Sequence, residues 1–335
     1  MSPTKLGVLG LATGHPLAFT EELRGHGFEL ACLAFDDTQE EERQRAATLQ
    51  QKYPSLEVVA GAAEMLARGV QAGMCSSQAH RHLEHVRPWI EARLPFFLEK
   101  PMAPDYASAR AILDLVEQHD APMMSCSVRY FSRNYRDLME VMRSGKIGTP
   151  LFLECFEPHG AHPGYWQDLK SASGGLVINY GIHVADPLVE ALGTDLRAVH
   201  AFGGKQVLPD VDSEDTAIFT AQFGSGAIAV GKVSGAYHFG AGKPVPTVGH
   251  LIVHASEGTL ETHIDETDVK VYRGGNFGVS ASLDPKTGVP AAMAAYVEMV
   301  ATGQRPIPVA HMDAVMKLLD AARRSIDTGQ VITFP

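Results

Sequence analysis

The sequence predicts an α/β protein with two domains: a doubly wound parallel sheet, then an α/β domain with a large, mostly antiparallel sheet. Three observations support this prediction. The first third of the chain alternates apolar strands with helices about every 25–30 residues, which is typical of βαβ units. Residues 196–280 contain short strand patterns joined by glycine-containing turns, as in antiparallel sheets. The length of 335 residues is sufficient for two cores.

The first predicted domain covers residues 1–125 and alternates strands with helices in order. Short apolar segments predict its strands, which are 6–9, 28–35, 57–59, 72–77 and 95–98. Amphipathic or charged segments predict its helices, which are 16–25, 39–52, 62–69, 80–94 and 106–120. Because crossovers between parallel strands are almost always right-handed, a Rossmann-like closure is expected.

The second predicted domain covers residues 126–335. It opens with a helix over 134–148, which a glycine ends, and a strand over 151–157. Further strands are predicted at 196–204, 216–223, 226–239, 248–258, 258–264 and 268–274. Two helices, 291–303 and 311–329, end the chain.

Composition and charge exclude several classes of protein. The chain has 28 Lys and Arg against 39 Asp and Glu, a net charge of −11, and no basic run, which argues against nucleic-acid or acidic-membrane partners. Its four cysteines are far apart, so we expect reduced, buried thiols and no zinc site. No apolar stretch approaches the ~20 residues of a membrane span, and the N-terminus enters a strand directly, so a cytoplasmic protein is expected.

A glycine-containing turn follows the first strand. In GLATGH, Gly10 matches the first glycine of the dinucleotide fingerprint G-x-G-x-x-G, Ala12 takes the second place and His15 the third. Thr13 and Gly14 complete the turn, with Gly14 one place early. Such a turn lets the backbone approach a pyrophosphate above a helix N-terminus. The alternative is an ordinary βα turn.

Asp36 ends the second strand at about the distance from Gly10 expected of the carboxylate that binds an adenosine ribose. A carboxylate there repels a 2′-phosphate. The next basic residue along the chain is Arg43, so NAD is favoured, with NADP as the alternative. The competing interpretation is a helix-capping or turn aspartate.

Lys100 stands in FFLEKP, directly after a buried strand and before a proline. Ligands gather at this end of a parallel sheet, and partial desolvation there would lower the pKa of a lysine and suit it to proton transfer. The alternative is a surface lysine paired with Glu99.

Two further segments carry candidate residues. In GGLVINYGIHVAD, Asn179 and His183 would share a helix face, and Asp186 is in position to orient the histidine. The alternative is a core histidine.

The loop over residues 157–175 contains His159, His162, Tyr165 and Trp166, which would form a wall for a sugar ring. Ligand spacing gives little support to a metal site formed by the histidines, and none is expected.

Together these features resemble the Gfo/Idh/MocA oxidoreductase family. The strongest similarities are the EKP of Glu99–Pro101 and the GG…GIH..D of Gly174–Asp186. SSQAHRHLE resembles the family's T-P-N-x-x-H-x-E, with Ser77 and His82 in the Thr and His places. The segment beginning SVRYFSRNYRDL resembles the helix that opens the family's second domain.

The resemblance implies an NAD(P)-dependent dehydrogenase that exchanges a hydride with a ring hydroxyl or ketone of a sugar, sugar acid or cyclitol. It implies Lys100 at the nicotinamide ribose and the substrate hydroxyl, and His183 as the general acid–base. The residues expected at the cofactor are Gly10, Ala12, Thr13, Gly14, His15, Asp36, Ser76, Ser77, His82, Glu99 and Lys100. Those expected at the substrate are Arg129, His159, Tyr165, Trp166, Asn179 and His183. The family's C-terminal sheet commonly joins subunits, so a homodimer or homotetramer is expected.

Two positions depart from the family pattern. Asn179 stands where the family's D-x-G-x-H has its carboxylate, so proton transfer would rest on His183 and Lys100. His15 replaces a small residue in the glycine loop. These departures leave two alternatives open: a non-redox sensor that binds NAD or a sugar, and an NAD-assisted lyase or glycosidase.

Overall fold

A computed structural model describes residues 2–158, 165–206, 211–235, 249–263, 268–280 and 288–335. The chain forms two compact units. The first contains residues up to Ala103, then 107–126 and 289–309, and the second contains 104–106, 127–288 and 310–335.

The strands form two sheets. In chain order they are β1 (Thr4–Leu9), β2 (Phe28–Ala34), β3 (Glu57–Val58), β4 (Ala72–Cys75), β5 (Phe96–Leu98), β6 (Met123–Met124), β7 (Pro150–Pro158), β8 (Leu196–Gly204), β9 (Thr216–Phe223), β10 (Ile228–Ser234), β11 (His250–Ala255), β12 (Thr259–His263), β13 (Val269–Arg273), β14 (Asn276–Ser280) and β15 (Ile332–Thr333).

The described helices are α1 (His15–Gly25), α2 (Glu40–Lys52), α3 (Ala62–Ala67), α4 (His82–Glu91), α5 (Tyr106–His119), α6 (Arg133–Arg143), α7 (Lys170–Ser173), α8 (Leu176–Asn179), α9 (Ile182–Leu192), α10 (Val289–Thr302) and α11 (Val309–Thr328). None of them is long and apolar enough to cross a membrane.

The first unit is the predicted doubly wound domain. Its six strands have the order β3-β2-β1-β4-β5-β6, and every pair is parallel. The strand order reverses next to β1, and the loops that follow β1 and β4 meet there. In such sheets ligands bind at this point, outside the carboxyl ends of the strands. The fold therefore identifies this edge as a binding site.

Helix α10 also belongs to the first unit, although the sequence-based division places it in the second. The Tyr296 hydroxyl donates to the carbonyl of Gly73 at 2.7 Å, and its ring packs edge-on against Phe97. Tyr296 and Met293 are fully buried. The first unit is thus assembled from separated segments of the chain because its core takes apolar residues from α10.

The second unit contains a nine-stranded sheet of order β14-β13-β12-β11-β7-β10-β9-β8-β15. The pair β7 and β10 is parallel and the other pairs are antiparallel, which confirms the predicted fold class. The edge strands β14 and β15 were not predicted. They are short, and β15 has only two residues.

One face of this sheet is the core and the other is open. Burial alternates along β9, so that Phe219 and Ala221 point to the interior while Ile218 is 43% exposed. On the same open face Phe202 is 68% exposed and Ile228 46%. Three large apolar side chains are therefore exposed on one face of the sheet.

Candidate active site

The glycine loop after β1 lies close against the loop after β4. Gly10 has a φ of +83°, and a Cβ there would lie 2.5 Å from the backbone of Ser77, so no larger residue fits without movement. The Ala12 N–H donates to the Ser76 carbonyl at 2.8 Å, and the hydroxyls of Thr13 and Ser76 are 2.8 Å apart. The turn is therefore built by a close approach of two backbones, as the phosphate-binding interpretation requires.

Gly10→Ala is expected to destabilise the first unit and to weaken NAD binding by about tenfold or more, which is ~1.4 kcal/mol. A left-handed alanine costs ~1–2 kcal/mol before the displacement of Ser77 is counted. Thermal unfolding and calorimetric titration with NAD measure the two effects. Gly14→Ala is the stability control, since Gly14 has a φ of −80° and open space around its Cβ position. Equal unfolding temperatures for wild type and Gly10→Ala would contradict this account.

A cavity of about 600 Å³ lies beside the glycine loop, wholly within the first unit. Its lining includes Gly10, Asp36, Glu42, Ser77 and Arg81. A space of this size suits a nucleoside. A carboxylate at the end of β2 and a turn too tight for a Cβ are the features that a ribose and a pyrophosphate require, so the residues present fit a dinucleotide.

Asp36 has a basic neighbour that is distant from it in the sequence. Arg81, which follows β4, approaches the Asp36 carboxylate at 3.5 Å. The Thr38 hydroxyl donates to the same carboxylate at 2.6 Å; this bond, against the opposing effect of burial, lowers the pKa of Asp36, and the charge of Arg81 lowers it further. Asp36 is therefore ionised but partly neutralised, which reduces its repulsion of a 2′-phosphate.

Glu42 is a second carboxyl group in the cavity lining, and the sequence analysis missed it. Its Oε2 accepts the N–H groups of Leu11, in the glycine loop, and of Asp36. The side chain is 1% exposed, and burial raises its pKa, opposed by these two hydrogen bonds. Glu42 thus joins the glycine loop to the end of β2. Because the segment 39–52 is rich in charged residues, its sequence pattern does not show that one of its acidic side chains is buried.

His15 pairs with the glutamate of the EKP motif. Its Nδ1 lies 3.0 Å from Glu99 Oε2, and its ring stacks on Phe19. The other carboxylate oxygen, Oε1, accepts the Lys100 N–H at 3.0 Å. Burial alone would raise the pKa of Glu99, but the charge and hydrogen bond of His15, followed by the charge of Lys100, lower it below its ordinary value. His15, which replaces the small residue of the family's glycine loop, therefore stabilises the ionised form of Glu99.

Lys100 is 7% exposed and follows β5 at the edge where ligands bind. Its peptide bond to Pro101 is cis. The side chain of Lys100 is buried and not at the surface, although its charge still acts on Glu99 as the alternative interpretation supposed.

His82 is 1% exposed, and its two ring nitrogens lie 3.0 Å from the carbonyls of Ser77 and Met102. The ring therefore holds the loop after β4 against the segment after the EKP motif. This arrangement supports an indirect role at the cofactor. Ser77 lines the cavity itself, whereas Ser76 is fully buried beneath the glycine loop.

In the second unit, the helix predicted to carry Asn179 and His183 is interrupted. Asn179 ends α8 and His183 lies in the first turn of α9, with Tyr180 and Gly181 between the helices. The Gly181 N–H bonds to the Leu176 carbonyl, five residues back, so the regular helical hydrogen-bond pattern breaks there. A Cβ at Gly181 would lie 1.9 Å from the Val177 carbonyl oxygen. Asn179 and His183 therefore lie on two short helices, and their shared role stays a prediction. Asn179 is 1% exposed.

His183 contacts a serine that the sequence analysis did not identify. Ser127 Oγ lies 2.5 Å from His183 Nδ1. Asp186, predicted to orient the histidine, contacts two other residues. Its Oδ2 accepts the Ser127 N–H at 2.6 Å, and its Oδ1 lies 3.1 Å from His311 Nε2. Because these partners are separated by more than 50 residues in the chain, no motif could have predicted them.

Arg129, Tyr165 and Trp166 are the other predicted substrate residues that the structure describes. The Arg129 guanidinium lies 2.7 Å from the buried Glu157 carboxylate, which offsets its charge. Trp166 is 2% exposed, so its ring packs in the interior and does not form an open wall for a sugar. Tyr165 begins a short 3₁₀ turn. His159 and His162 lie outside the described residues.

The cysteines are as predicted: all four are buried free thiols. Within the described ranges no group of three His, Cys, Asp or Glu side chains could hold a metal ion.

Two protein-family models match this chain. Residues 5–126 match the model of the oxidoreductase family with an NAD-binding Rossmann fold, and residues 135–261 match the GFO/IDH/MocA C-terminal domain. Together with the fold and the loop geometry, these matches define an NAD-binding oxidoreductase. The chain belongs to the Gfo/Idh/MocA family and contains that family's NAD-binding Rossmann domain.

Individual proteins of known sequence or structure resemble this chain at low sequence identity. A myo-inositol 2-dehydrogenase from Thermotoga maritima is 25% identical over 263 residues, 77% of this chain and 78% of that protein. The myo-inositol dehydrogenase Hyg17 from Streptomyces leeuwenhoekii is 28% identical over 50% of this chain. Several relatives, including Hyg17, match this chain over only about half of their own length. An Agrobacterium radiobacter oxidoreductase, solved with NAD⁺, L-tartaric acid and magnesium, has a TM-score of 0.82 at 18% identity, with 98% of each chain covered. GenD2 from gentamicin A biosynthesis, solved with NAD, has a TM-score of 0.79 at 19% identity, covering 100% of this chain and 97% of GenD2. At these identities the structures establish the fold.

Proposed function

We propose that the protein is an NAD-dependent dehydrogenase that interconverts a ring hydroxyl and a ketone in a sugar, sugar acid or cyclitol. The observation that carries this proposal is the buried Lys100 at the ligand-binding edge of an NAD-binding domain. The myo-inositol dehydrogenases among its relatives support a cyclitol or sugar as the substrate class.

Two side chains carry the proposed chemistry, Lys100 and His183. The glycine loop and Asp36 would hold NAD, which when bound would supply the hydride acceptor. The Lys100 ammonium stabilises the negative charge that develops on the substrate oxygen, and burial strengthens this interaction. His183 removes the hydroxyl proton at Nε2, since its Nδ1 faces Ser127. Asn179 stands in the family's carboxylate position but cannot take up a proton there.

Calorimetric titration of the cofactor-free protein with NAD⁺, NADH, NADP⁺ and NADPH is the first test. We expect NAD(H) to bind more tightly than NADP(H), with discrimination reduced by the Asp36–Arg81 pair. A screen of polyols and keto-sugars, followed at 340 nm, then tests turnover. Binding of NAD without any absorbance change would favour a sensor. Cofactor that stays bound through purification, with product formed and no net NADH, would favour a lyase or glycosidase.

We also propose that the protein forms a homodimer or homotetramer in the cytoplasm. The exposed apolar face of the large sheet, with Phe202 and Ile218, supports self-association, and four reduced thiols suit a reducing compartment. Sedimentation equilibrium measures the assembly, and a monomer at micromolar concentration would contradict it.

A further inference from the structure

We infer that Arg81 is a specificity-determining residue that gives this NAD-binding domain a second cofactor, NADP, by holding the 2′-phosphate of its adenosine ribose. This role depends on nucleotide binding by the first unit and is independent of the proposed reaction. The positive charge that a 2′-phosphate requires then comes from the loop after β4, whereas the ribose carboxylate, Asp36, ends β2.

The cavity beside the glycine loop has an acidic lining with a single strong base. Among the described residues that line it, five carry carboxyl groups: Asp36, Asp37, Glu42, Glu64 and Glu84. Arg81 is the one lysine or arginine in this described lining. His85 also lines the cavity, but burial and then the charge of Arg81 lower its pKa to about 4, so it is neutral near pH 7. Because a phosphate monoester carries about −1.5 to −2 charges, this cavity would repel NADP without Arg81.

Asp36 and Arg81 differ in how firmly they are held. Asp36 Oδ1 accepts the hydroxyl of Thr38 at 2.6 Å and the N–H of Thr38 at 3.1 Å. Arg81 approaches the other carboxylate oxygen at 3.5 Å, which is longer than the about 2.7–2.9 Å of a charge-assisted hydrogen bond. Thr38 therefore orients Asp36, and Arg81 can turn to a phosphate without breaking a strong contact.

The backbone of Arg81 is fixed at the edge of the cavity while its side chain reaches solvent. Its N–H donates to the Gln78 carbonyl at 2.9 Å, and the ring of the next residue, His82, is buried between two carbonyls. The side chain of Arg81 is 37% exposed. A planar guanidinium on such a fixed base matches a phosphate with two parallel N–H donors, which a lysine cannot offer.

Arg43, the next basic residue after Asp36 in the sequence, is engaged elsewhere. Its guanidinium donates to the Asp37 carbonyl at 2.6 Å and to the Glu40 carboxylate at 2.8 Å. It is not among the described residues that line the cavity. Arg81 is therefore the basic residue whose position suits a 2′-phosphate.

Calorimetric titration of the whole protein with NAD⁺ and NADP⁺ tests this role. We expect the wild type to bind NADP⁺ within about tenfold of NAD⁺. Arg81→Gln keeps a polar side chain and removes the charge, so it should weaken NADP⁺ binding about 10- to 100-fold and change NAD⁺ binding less than about threefold. Arg87→Gln is the matched control, because this exposed residue of α4 pairs with Glu91 and its loss changes the net charge equally. Undetectable NADP⁺ binding by the wild type, or equal selectivity in the wild type and Arg81→Gln, would overturn the inference.

Substitution of Asp36 provides a second measurement. Asp36→Asn removes the repulsive charge and should tighten NADP⁺ binding about tenfold. Arg81→Gln should then cost more affinity for NADP⁺ in the Asp36→Asn background than in the wild type, because Arg81 no longer divides its charge between the carboxylate and the phosphate. Equal costs in the two backgrounds would contradict the exchange of Arg81 between these two partners.

Half-molecules of the cofactor separate the phosphate contact from general damage to the cavity. Adenosine 2′,5′-bisphosphate should lose affinity in Arg81→Gln, whereas 5′-AMP, which lacks the 2′-phosphate, should not. Equal losses for both nucleotides would overturn the assigned contact. These titrations need no turnover, so a failure to find dehydrogenase activity would contradict the proposed function and leave the role of Arg81 to be decided by binding.

Discussion

Replacing Lys100 with methionine is expected to lower kcat by about 10²–10³-fold, the usual effect of removing one group that stabilises a developing oxyanion. Lys100 is 7% exposed, and methionine preserves its length and apolar stem while removing the charge. The fold should therefore survive. The buried ammonium no longer loses its hydration, but the ionised Glu99 loses a nearby positive charge, so the two effects on the free energy of unfolding oppose each other. Steady-state kinetics with the substrate from the polyol screen measure kcat.

Lys100→Arg is the matched variant for this experiment. Arginine keeps the charge, but its planar guanidinium does not reproduce the compact ammonium, so we expect it to recover only part of the activity. Calorimetry with NAD on both variants separates lost binding from lost catalysis. Turnover near the wild-type rate in Lys100→Met would remove Lys100 from the proposed reaction.

His183→Asn is the second substitution with a large expected effect, about 10²–10⁴-fold on kcat. Asparagine keeps a polar side chain near Ser127 but cannot exchange a proton. In the oxidation direction the wild-type rate should rise with pH as the histidine loses its proton, and this rise should disappear in the variant. The pH profile of kcat/KM checks the assignment, because a purely structural defect would lower the whole curve without changing its shape. A profile with an unchanged rise would assign the base to another group.

Local patterns predicted most of the fold. Short strand patterns joined by glycine-containing turns located β8 and β9, and the βαβ spacing located five of the six strands of the first sheet but not β6, because both signals depend on neighbouring residues. The EKP and GIH segments were identifiable for the same reason. The fold class is confirmed, whereas the return of α10 to the first unit was not predicted, since an amphipathic helix does not encode which core it joins.

The candidate site was predicted less completely because its contacts join distant parts of the chain. Arg81 meets Asp36 across 45 positions, and Ser127 meets His183 across 56. The helix is interrupted before His183, where the Gly181 N–H bonds to the Leu176 carbonyl, and a helical spacing rule does not show this interruption. The roles of Lys100, Asn179 and His183 stay predictions until the variants are measured.

The position of α10 also has a consequence for biosynthesis. Tyr296 closes the core of the first unit against Gly73 and Phe97, so this unit lacks part of its interior until the ribosome has made the segment 289–309. Domains generally fold as units during synthesis. The nascent N-terminal sheet therefore keeps an exposed apolar face until α10 has been synthesised. Ribosome-bound chains that stop after residue 126 should therefore be sensitive to protease and should bind chaperones, and chains extended past residue 309 should be protected.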